Sequence, residues 1–452
     1  MFAEHMAILV GNYRFMPAYK AGRWDGKIRF YNAATGWILT GLLPRAYRDL
    51  KTICNDVVFK DTMGYFQTQE FKVDPAIFAD TEFGYSLYPD QVFAAETLLK
   101  NKRGVGEIAT GFGKTVLCAA MFETVQPKNG LMIVPTLDLV IQSHEDFCDF
   151  GLEAKTGMYS GSRKDEFKQL TIATWQSLSR KPELMEIFDM IIIDEAHGAK
   201  GQEIQKLMEG AVNAERRYGV TGTLPKDKVF KATIEGVVGP TTVEISPSDL
   251  IEIERLSKCQ IIQIGLNYPK ETVKACEKIS QQASSLLEAR KNKLHFLAAY
   301  QPRVERVKSL INRIEGSAVI LVNYSVEGKE LEKAIPDSVF IDGSTKATVR
   351  AELRKRIEDP DDPLNVMIAT YNLAAVGLNM KSLKYIVFGS PSKSFIRVVQ
   401  AIGRVLRIHE DKSMAFILDL DDKISGVESG KDRNKYYLEK NYPVQQLTLD
   451  LE

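Results

Sequence analysis

The chain has 452 residues, with 59 Lys and Arg against 59 Asp and Glu and a formal charge of zero. That balance excludes nucleic-acid binding driven by bulk charge and leaves the task to local patches. The length accommodates two or three domains, and no apolar run approaches the roughly 18 residues of a membrane span or the leader of a secreted protein. Five cysteines, Cys54, Cys118, Cys148, Cys259 and Cys276, show no C-x-x-C spacing. They imply neither a disulfide framework nor a zinc site, which fits a reducing compartment.

Residues 1–78 read as a small α/β domain. Between Gly11 and Lys51 lie eight Lys/Arg and two Asp, interleaved with Tyr13, Phe15, Tyr19, Trp24, Phe30, Tyr31, Trp37 and Tyr47. Asp25-Gly26 is a hairpin signal, and Lys27 to Tyr31 begins with the alternation of a half-exposed strand. Arg23, Lys27 and Arg29 are the candidate phosphate contacts, because basic residues flanked by aromatics hold phosphates and stack on bases. The alternative is that the aromatics form the domain's own core.

The second domain, 79–246, opens with a helix from Tyr88 to about Leu99 that carries Gln91, whose amide could read adenine N6 and N7. Thr110-Gly111-Phe112-Gly113-Lys114-Thr115 then forms a phosphate-binding turn. Gly111 and Gly113 let successive N–H groups face a phosphate, Lys114 reaches the β/γ-phosphates and the Thr115 hydroxyl can meet Mg²⁺. Ile108 replaces the first glycine of the full G-x-x-x-x-G-K-[ST] pattern. The apolar run from Val116 to Phe122 starts a helix whose N-terminus faces the anion.

Four apolar residues, Met190 to Ile193, read as a buried parallel strand that releases Asp194, Glu195 and His197 at its C-terminal end. Asp194 is the candidate for holding Mg²⁺ through water and Glu195 for polarising the attacking water. His197 either relays the nucleotide state or hydrogen-bonds within its loop. Strands at 130–136, 169–176 and 216–223 repeat the pattern and end in Thr136, Thr174, Gln176, Thr221 and Thr223. Those side chains suit backbone phosphates, coupling, or ordinary helix capping. Strands separated by helix-length segments make a layered βα domain with its loops on one edge.

Residues 247–316 read as a mainly helical connector containing one extended stretch, Cys259 to Leu266. A second layered domain, 317–452, has strands at 317–322, 339–343, 365–370, 385–389 and, last, 414–420. It lacks a glycine-rich Lys-Thr turn, so it reads as a P-loop-type sheet lending residues to the first domain's nucleotide. Arg404 and Arg407 stand three apart on one helix face, where an arginine pair can neutralise a transferring phosphoryl group. Gly377 offers a glycine-permitted turn near them.

The ordered set resembles a superfamily 2 helicase motor. ATGFGKT (109–115), VPTLDLVIQ (134–142), TWQ (174–176), DEAH (194–197), TGT (221–223), the 370–379 segment and QAIGRVLR (400–407) match that family's motifs over about residues 85–420. The stretch YRF…GRWDGKIRF resembles the N-terminal region of the phage UvsW-type helicases, which remodel branched DNA and R-loops. The resemblance implies an α/β protein of two RecA-like domains with a small N-terminal nucleic-acid-binding domain, using ATP and Mg²⁺. It assigns Gln91, Thr110 and Gly377 to the nucleotide, Thr115 and Asp194 to metal, and Lys114, Glu195, Arg404 and Arg407 to catalysis. His197, Thr221, Thr223 and Gln400 would couple ATP state to movement, and Asn379 would touch nucleic acid. Gly222 stands where many relatives have alanine, and Asn379 where aspartate is common.

The partner expected is forked, branched or R-loop DNA, met by a monomer in the cytoplasm of a bacterial or phage-infected cell. A duplex translocase of a restriction or repair complex is one alternative. An RNA helicase is another, since a backbone-gripping motor has no evident reader of the 2′-hydroxyl.

Overall fold

A computed structural model describes the chain except residues 1, 55, 63, 82–83, 162, 199–200, 360–361, 363, 372, 374–379, 381, 393–397, 399–400, 404, 407–413 and 452. The chain divides into two compact units, Met1–Ile245 and Ser246–Glu452. The strands of the first are β1 (Ala7–Leu9), β2 (Lys27–Arg29), β3 (Arg103–Ile108), β4 (Gly130–Val134) and β5 (Thr156–Ser160). They continue with β6 (Arg163–Lys164), β7 (Leu170–Thr174), β8 (Met190–Asp194), β9 (Arg216–Thr221) and β10 (Thr241–Ile245). Those of the second are β11 (Lys258–Asn267), β12 (Ala318–Val322), β13 (Ser338–Ile341), β14 (Val366–Thr370), β15 (Tyr385–Phe388), β16 (Met414–Asp422) and β17 (Val444–Asp450).

Among the described residues, β3 to β10 form one eight-stranded sheet in the order β10-β3-β9-β8-β4-β7-β5-β6. Every neighbouring pair is parallel except β5 with β6. A parallel sheet needs crossover segments that cover its faces, which is why β4, β7 and most of β8 are buried throughout and, apart from the threonines of β7, lack polar side chains. The order matters for chemistry. β9 lies between β3 and β8, so the turns after these three strands open side by side.

The N-terminal residues share a core with this unit. Met6, Ile8, Phe30, Leu39, Leu42 and Ala46 join the cluster that contains Leu224, Ala232, Ile234 and Val237. Phe30 is therefore a packing residue, as the alternative reading held. β1 and β2 pair antiparallel, but residues 10–26 connect them, so Asp25-Gly26 is not a tight hairpin between them. Instead the Asp25 carboxylate accepts the Lys27 N–H at 3.0 Å.

The second unit has a seven-stranded sheet in the order β13-β14-β12-β15-β16-β11-β17, parallel throughout. The extended stretch expected inside a connector is therefore β11, clasped between β16 and β17. The helix Gln301–Ile311 also belongs to this unit, since Val304, Val307 and Ile311 pack under β12 and β14. The strand expected to be last, β16, is followed by β17, whose mostly exposed side chains suit an edge.

Below the surface, Arg303 is 1% exposed and donates to Asp422 at 2.9 Å. It also pairs with Glu327 at 3.3 Å and donates to the Gly389 carbonyl. Charge at that depth persists only when it is paired and hydrogen-bonded. The network joins a helix to the ends of β15 and β16.

The N-terminal segment sits on the helix Lys228–Val237 through two glycines. A Cβ on Gly41 would stand 1.9 Å from the Glu235 carbonyl oxygen, and one on Gly236 would stand 2.6 Å from Leu39 Cδ1. Gly41→Ala forces main chain away from main chain, so a loss of about 1–3 kcal/mol is expected from overpacking. Limited proteolysis checks it: residues 1–54 should be released sooner than in the parent. In Gly343→Ala, at an open position with no neighbour within 4 Å and no left-handed φ, the release rate should stay near the parent's.

Candidate nucleotide site and nucleic-acid interface

The turn after β3 runs Thr110 to Gly113 and leads into the helix Lys114–Val125. Gly111 has φ +93° and Gly113 φ +95°, left-handed values that L side chains rarely adopt. A Cβ on Gly113 would also stand 2.6 Å from Gln91 Nε2. Gln91 is fully buried. Its Nε2 donates to the Phe112 carbonyl at 2.8 Å, while its Oε1 accepts from Tyr88 N and Tyr85 Oη, each at 3.0 Å. Gln91 thus ties the helix Pro89–Leu99 to the phosphate turn through both ends of its amide.

At the end of β8, Glu195 has φ +49°, a strained value for a non-glycine residue. Its N–H donates to Asp194 Oδ1 at 2.9 Å. The kink leaves two successive carboxylates at one strand mouth. Lys114 Nζ lies 3.7 Å from Glu195 Oε1, and His197 Nδ1 lies 3.1 Å from Glu195 Oε2. His197 Nδ1 also meets Thr221 Oγ1 at 2.8 Å, and that hydroxyl donates to the Thr223 carbonyl at 2.9 Å. A carboxylate and an occupied hydroxyl on one ring nitrogen place the proton on Nδ1. The three turns of β3, β8 and β9 therefore form one connected site. Gly222 allows the closeness, since a Cβ there would stand 3.2 Å from Thr110 Oγ1 and 3.8 Å from Lys114 Nζ.

Several groups in this site have unmet polar demands. Thr110 Oγ1 and Thr223 Oγ1 are buried without a hydrogen-bond partner among the described residues. Burial, and then the Glu195 charge, push the Asp194 carboxyl up to about 6, against the pull of Lys114. A phosphate brings acceptors for an orphan hydroxyl and an ammonium, and a cation favours the ionised form of a desolvated carboxylate. The residues present therefore fit a nucleotide phosphate with a divalent ion.

The other expected contacts divide. Thr136 Oγ1 accepts from Leu139 N and Thr174 Oγ1 from Ser177 N, so both hydroxyls cap helices after β4 and β7. Gln176 is exposed and donates to the Pro135 carbonyl at 3.2 Å, joining those two strand ends. Lys27 pairs with Glu4 at 2.8 Å, and Arg29 pairs with Glu4 at 2.7 Å and Asp25 at 2.6 Å. Sequence counting saw the cations of that stretch, but Glu4 lay outside the interval counted. Arg23 is exposed. Gly377, Asn379, Gln400, Arg404 and Arg407 lie outside the described residues.

Two family models match the chain. Residues 84–226 match the res subunit of type III restriction enzymes, and residues 302–409 match the helicase conserved C-terminal domain. With the phosphate turn and the acidic strand end joined in one site, the family follows. The chain belongs to the superfamily 2 helicases. It is an ATP-hydrolysing, nucleic-acid-dependent motor built on two RecA-like sheets.

This superfamily 2 chain is 26% identical over 460 residues to the ATP-dependent DNA helicase uvsW of Enterobacteria phage T4, covering 95% of this chain and 88% of that protein. It is 26% identical over 245 residues to the DNA 3'-5' translocase XPB2 of Sulfurisphaera tokodaii, covering 53% and 55%. In fold it is similar to the DNA-bound Type ISP restriction-modification enzyme LlaBIII (TM-score 0.58, 16% identity, 81% of this chain and 31% of that one). The Hef helicase domain of Pyrococcus furiosus is another neighbour (TM-score 0.51, 15% identity, 78% and 97%). No helix among the described residues is long and apolar enough to cross a membrane.

The raised Asp194 carboxyl sets a sign for stability. An unfolded Asp ionises near 3.8, so between that pH and about 6 unfolding releases a proton, and above 6 the folded state carries the full penalty of a buried charge. A shift of this size corresponds to about 3 kcal/mol at most. Asp194→Asn should therefore melt higher than the parent at about pH 7.5 without nucleotide or metal. The gain should shrink as pH falls through 6 and vanish below 3.8, as followed by differential scanning fluorimetry.

Proposed function

We propose that the motor binds ATP with Mg²⁺ at the Lys114–Glu195 site and uses its hydrolysis to unwind or remodel branched DNA, either forks or R-loops. The carrying observation is the junction of three strand-end turns, with Lys114 3.7 Å from Glu195 and, beside them, buried hydroxyls without a partner among the described residues.

Lys114 neutralises negative charge on the β/γ-phosphates, and the N–H groups of the turn orient them. Thr115 and Asp194 hold the Mg²⁺, Asp194 through water. The metal supplies charge neutralisation at the phosphate oxygens. Glu195 orients a water and accepts its proton as attack proceeds. His197 holds the Glu195 carboxylate and, through Thr221, carries its position to Thr223. Arg404 and Arg407, by the family motif, act on the transferring phosphoryl group. Gln400, Gly377 and Asn379 keep the coupling, nucleotide and strand-contact roles, in that order, of their motifs.

DNA is favoured over RNA by the extent of the match to the phage DNA helicase, which spans 95% of this chain. The two family models begin at residue 84, so that match reaches the N-terminal residues that a backbone-tracking motor does not need. A duplex translocase is the second reading, favoured by the restriction-subunit model over residues 84–226.

ATP turnover should be measured on forked, linear duplex, single-stranded and RNA substrates at one salt concentration. Forked DNA should stimulate most; equal stimulation by linear duplex would favour the translocase. Lys114→Ala should abolish turnover and weaken ATP binding. Glu195→Gln should keep ATP binding and lose roughly 100-fold or more in turnover. Parental turnover in Glu195→Gln would remove Glu195 from its role. Arg404→Ala and Arg407→Ala should each bind ATP yet lose at least about tenfold in stimulated hydrolysis.

A further inference from the structure

The first unit contains a cleft of about 790 Å³ between residues 7–13 and the helix Lys228–Val237. Arg45 lines it from the N-terminal segment, and Lys226, Lys228 and Lys231 line it from the segment that follows Thr221-Gly222-Thr223. Two carboxylates share the lining, and both are engaged by the fold. Asp227 Oδ1 caps the helix by accepting Val229 N at 2.9 Å and Phe230 N at 3.0 Å. Glu235 accepts the Thr241 hydroxyl at 3.1 Å.

Three of the cations are held more loosely. Lys231 reaches Glu235 only at 4.0 Å, Arg45 reaches Asp49 at 3.6 Å, and the exposed Lys228 ammonium makes no ion pair among the described residues. This contrasts with Lys27 and Arg29, whose charge Glu4 and Asp25 already neutralise.

The remaining lining is mostly apolar, with Asn12 and a single aromatic, Tyr13. Leu9 is 49% exposed, and Tyr13 stands at the cleft with its ring edge-on to Tyr19. Phe15, 75% exposed, follows two residues later. Cations beside one aromatic ring in the lining and an exposed one two residues on suit a single strand, whose phosphates and unpaired bases are both accessible. A duplex keeps its base faces stacked inside and could not use the rings. The walls are also fixed, because Gly41 and Gly236 allow the N-terminal segment to seat against the helix without a gap. A preformed concave site loses little ordering entropy on binding.

We propose that this cleft is a second nucleic-acid site, apart from the nucleotide site, which grips a single DNA strand by its phosphates through Arg45, Lys226, Lys228 and Lys231. The proposal rests on the motor reading above and deepens it. A strand held there bears on the segment that begins immediately after Thr223, and so on the turn that touches His197 and Glu195.

The test uses the full chain and a fluorescent oligo(dT) probe across a salt series. The triple variant Arg45→Ala/Lys228→Ala/Lys231→Ala should bind at least tenfold more weakly at about 100 mM salt. Its log–log salt slope should fall by about 2, since each lost single-strand phosphate contact removes about 0.7. Lys27→Ala/Arg29→Ala should change the slope by less than half as much. A photoreactive residue replacing Lys228 should crosslink to oligo(dT) in preference to blunt duplex.

Melting temperature and ATP-analogue affinity near the parent's establish that each variant is folded; if the triple variant fails this check, the crosslink decides alone. An unchanged slope in a folded triple variant, or no crosslink, would overturn the cleft while parental DNA-stimulated turnover kept the motor reading intact. Equal crosslinking to duplex would overturn the single-strand assignment. Absence of any DNA binding or stimulation in the parent would instead remove the motor reading itself.

Discussion

Lys114 and Glu195 face each other across 3.7 Å at the mouths of β3 and β8, strands separated only by β9. The rest of the first unit arranges this meeting. Apolar strands buried on both faces fix the spacing of the three turns, and Gly111, Gly113 and Gly222 let the turns approach. Asp194, at the end of β8, is desolvated, which pushes its carboxyl up to about 6 and makes its charge costly above that pH. The site therefore stores an electrostatic demand that a trianionic phosphate and a divalent ion would meet. Preorganisation of this kind is destabilising in the ligand-free protein, and it is where stability and activity are expected to oppose each other.

The N-terminal residues change meaning once their packing is seen. Their charge excess suggested a binding face on the β2 strand, yet the Glu4 and Asp25 carboxylates lie against Lys27 and Arg29. Exposed pairs of this kind contribute little to stability, but they lower the local potential that would attract a phosphate. The less compensated cations, Arg45, Lys228 and Lys231, are brought together elsewhere by the docking of the segment onto one helix. Charge patterning along a chain thus identifies a basic region more readily than it identifies the basic face.

In the second unit, buried ions do the organising. Arg303, Glu327 and Asp422 come from helix, helix and strand, and their mutual pairing holds the chain after β15, where Ser390 donates to Glu327 and accepts the Asn323 N–H at 3.0 Å. Such a network contributes little net stability compared with an apolar core, yet removing one partner leaves a charge stranded in low dielectric. It constrains the ends of β12, β15 and β16 together, which are the strand ends at which an open parallel sheet presents its loops.

The amino-acid sequence by itself determined β4, β7, β8 and β9 and then β12 to β16, because an apolar run ended by glycine, threonine or acid is a local pattern with few other uses; β3, β5 and β10 lack so plain a pattern and were not legible. It determined the phosphate turn and the acidic strand end for the same reason: Gly113, Lys114 and Thr115 are neighbours in the chain, as are Asp194 and Glu195. Strand membership was less legible. β11 and β17 sit far apart in sequence, one read as part of a connector and the other lying beyond the last strand expected, and only the register of β11 with β16 and with β17 places them in one sheet. Tertiary structure alone decided that β9 stands between β3 and β8, that Gln91 is hydrogen-bonded to Tyr85, Tyr88 and Phe112, and that Thr136 and Thr174 serve as caps. It also decided which cations remain available. Each of these depends on partners distant in sequence, and a hydrogen bond or ion pair is settled by proximity in space rather than by residue type.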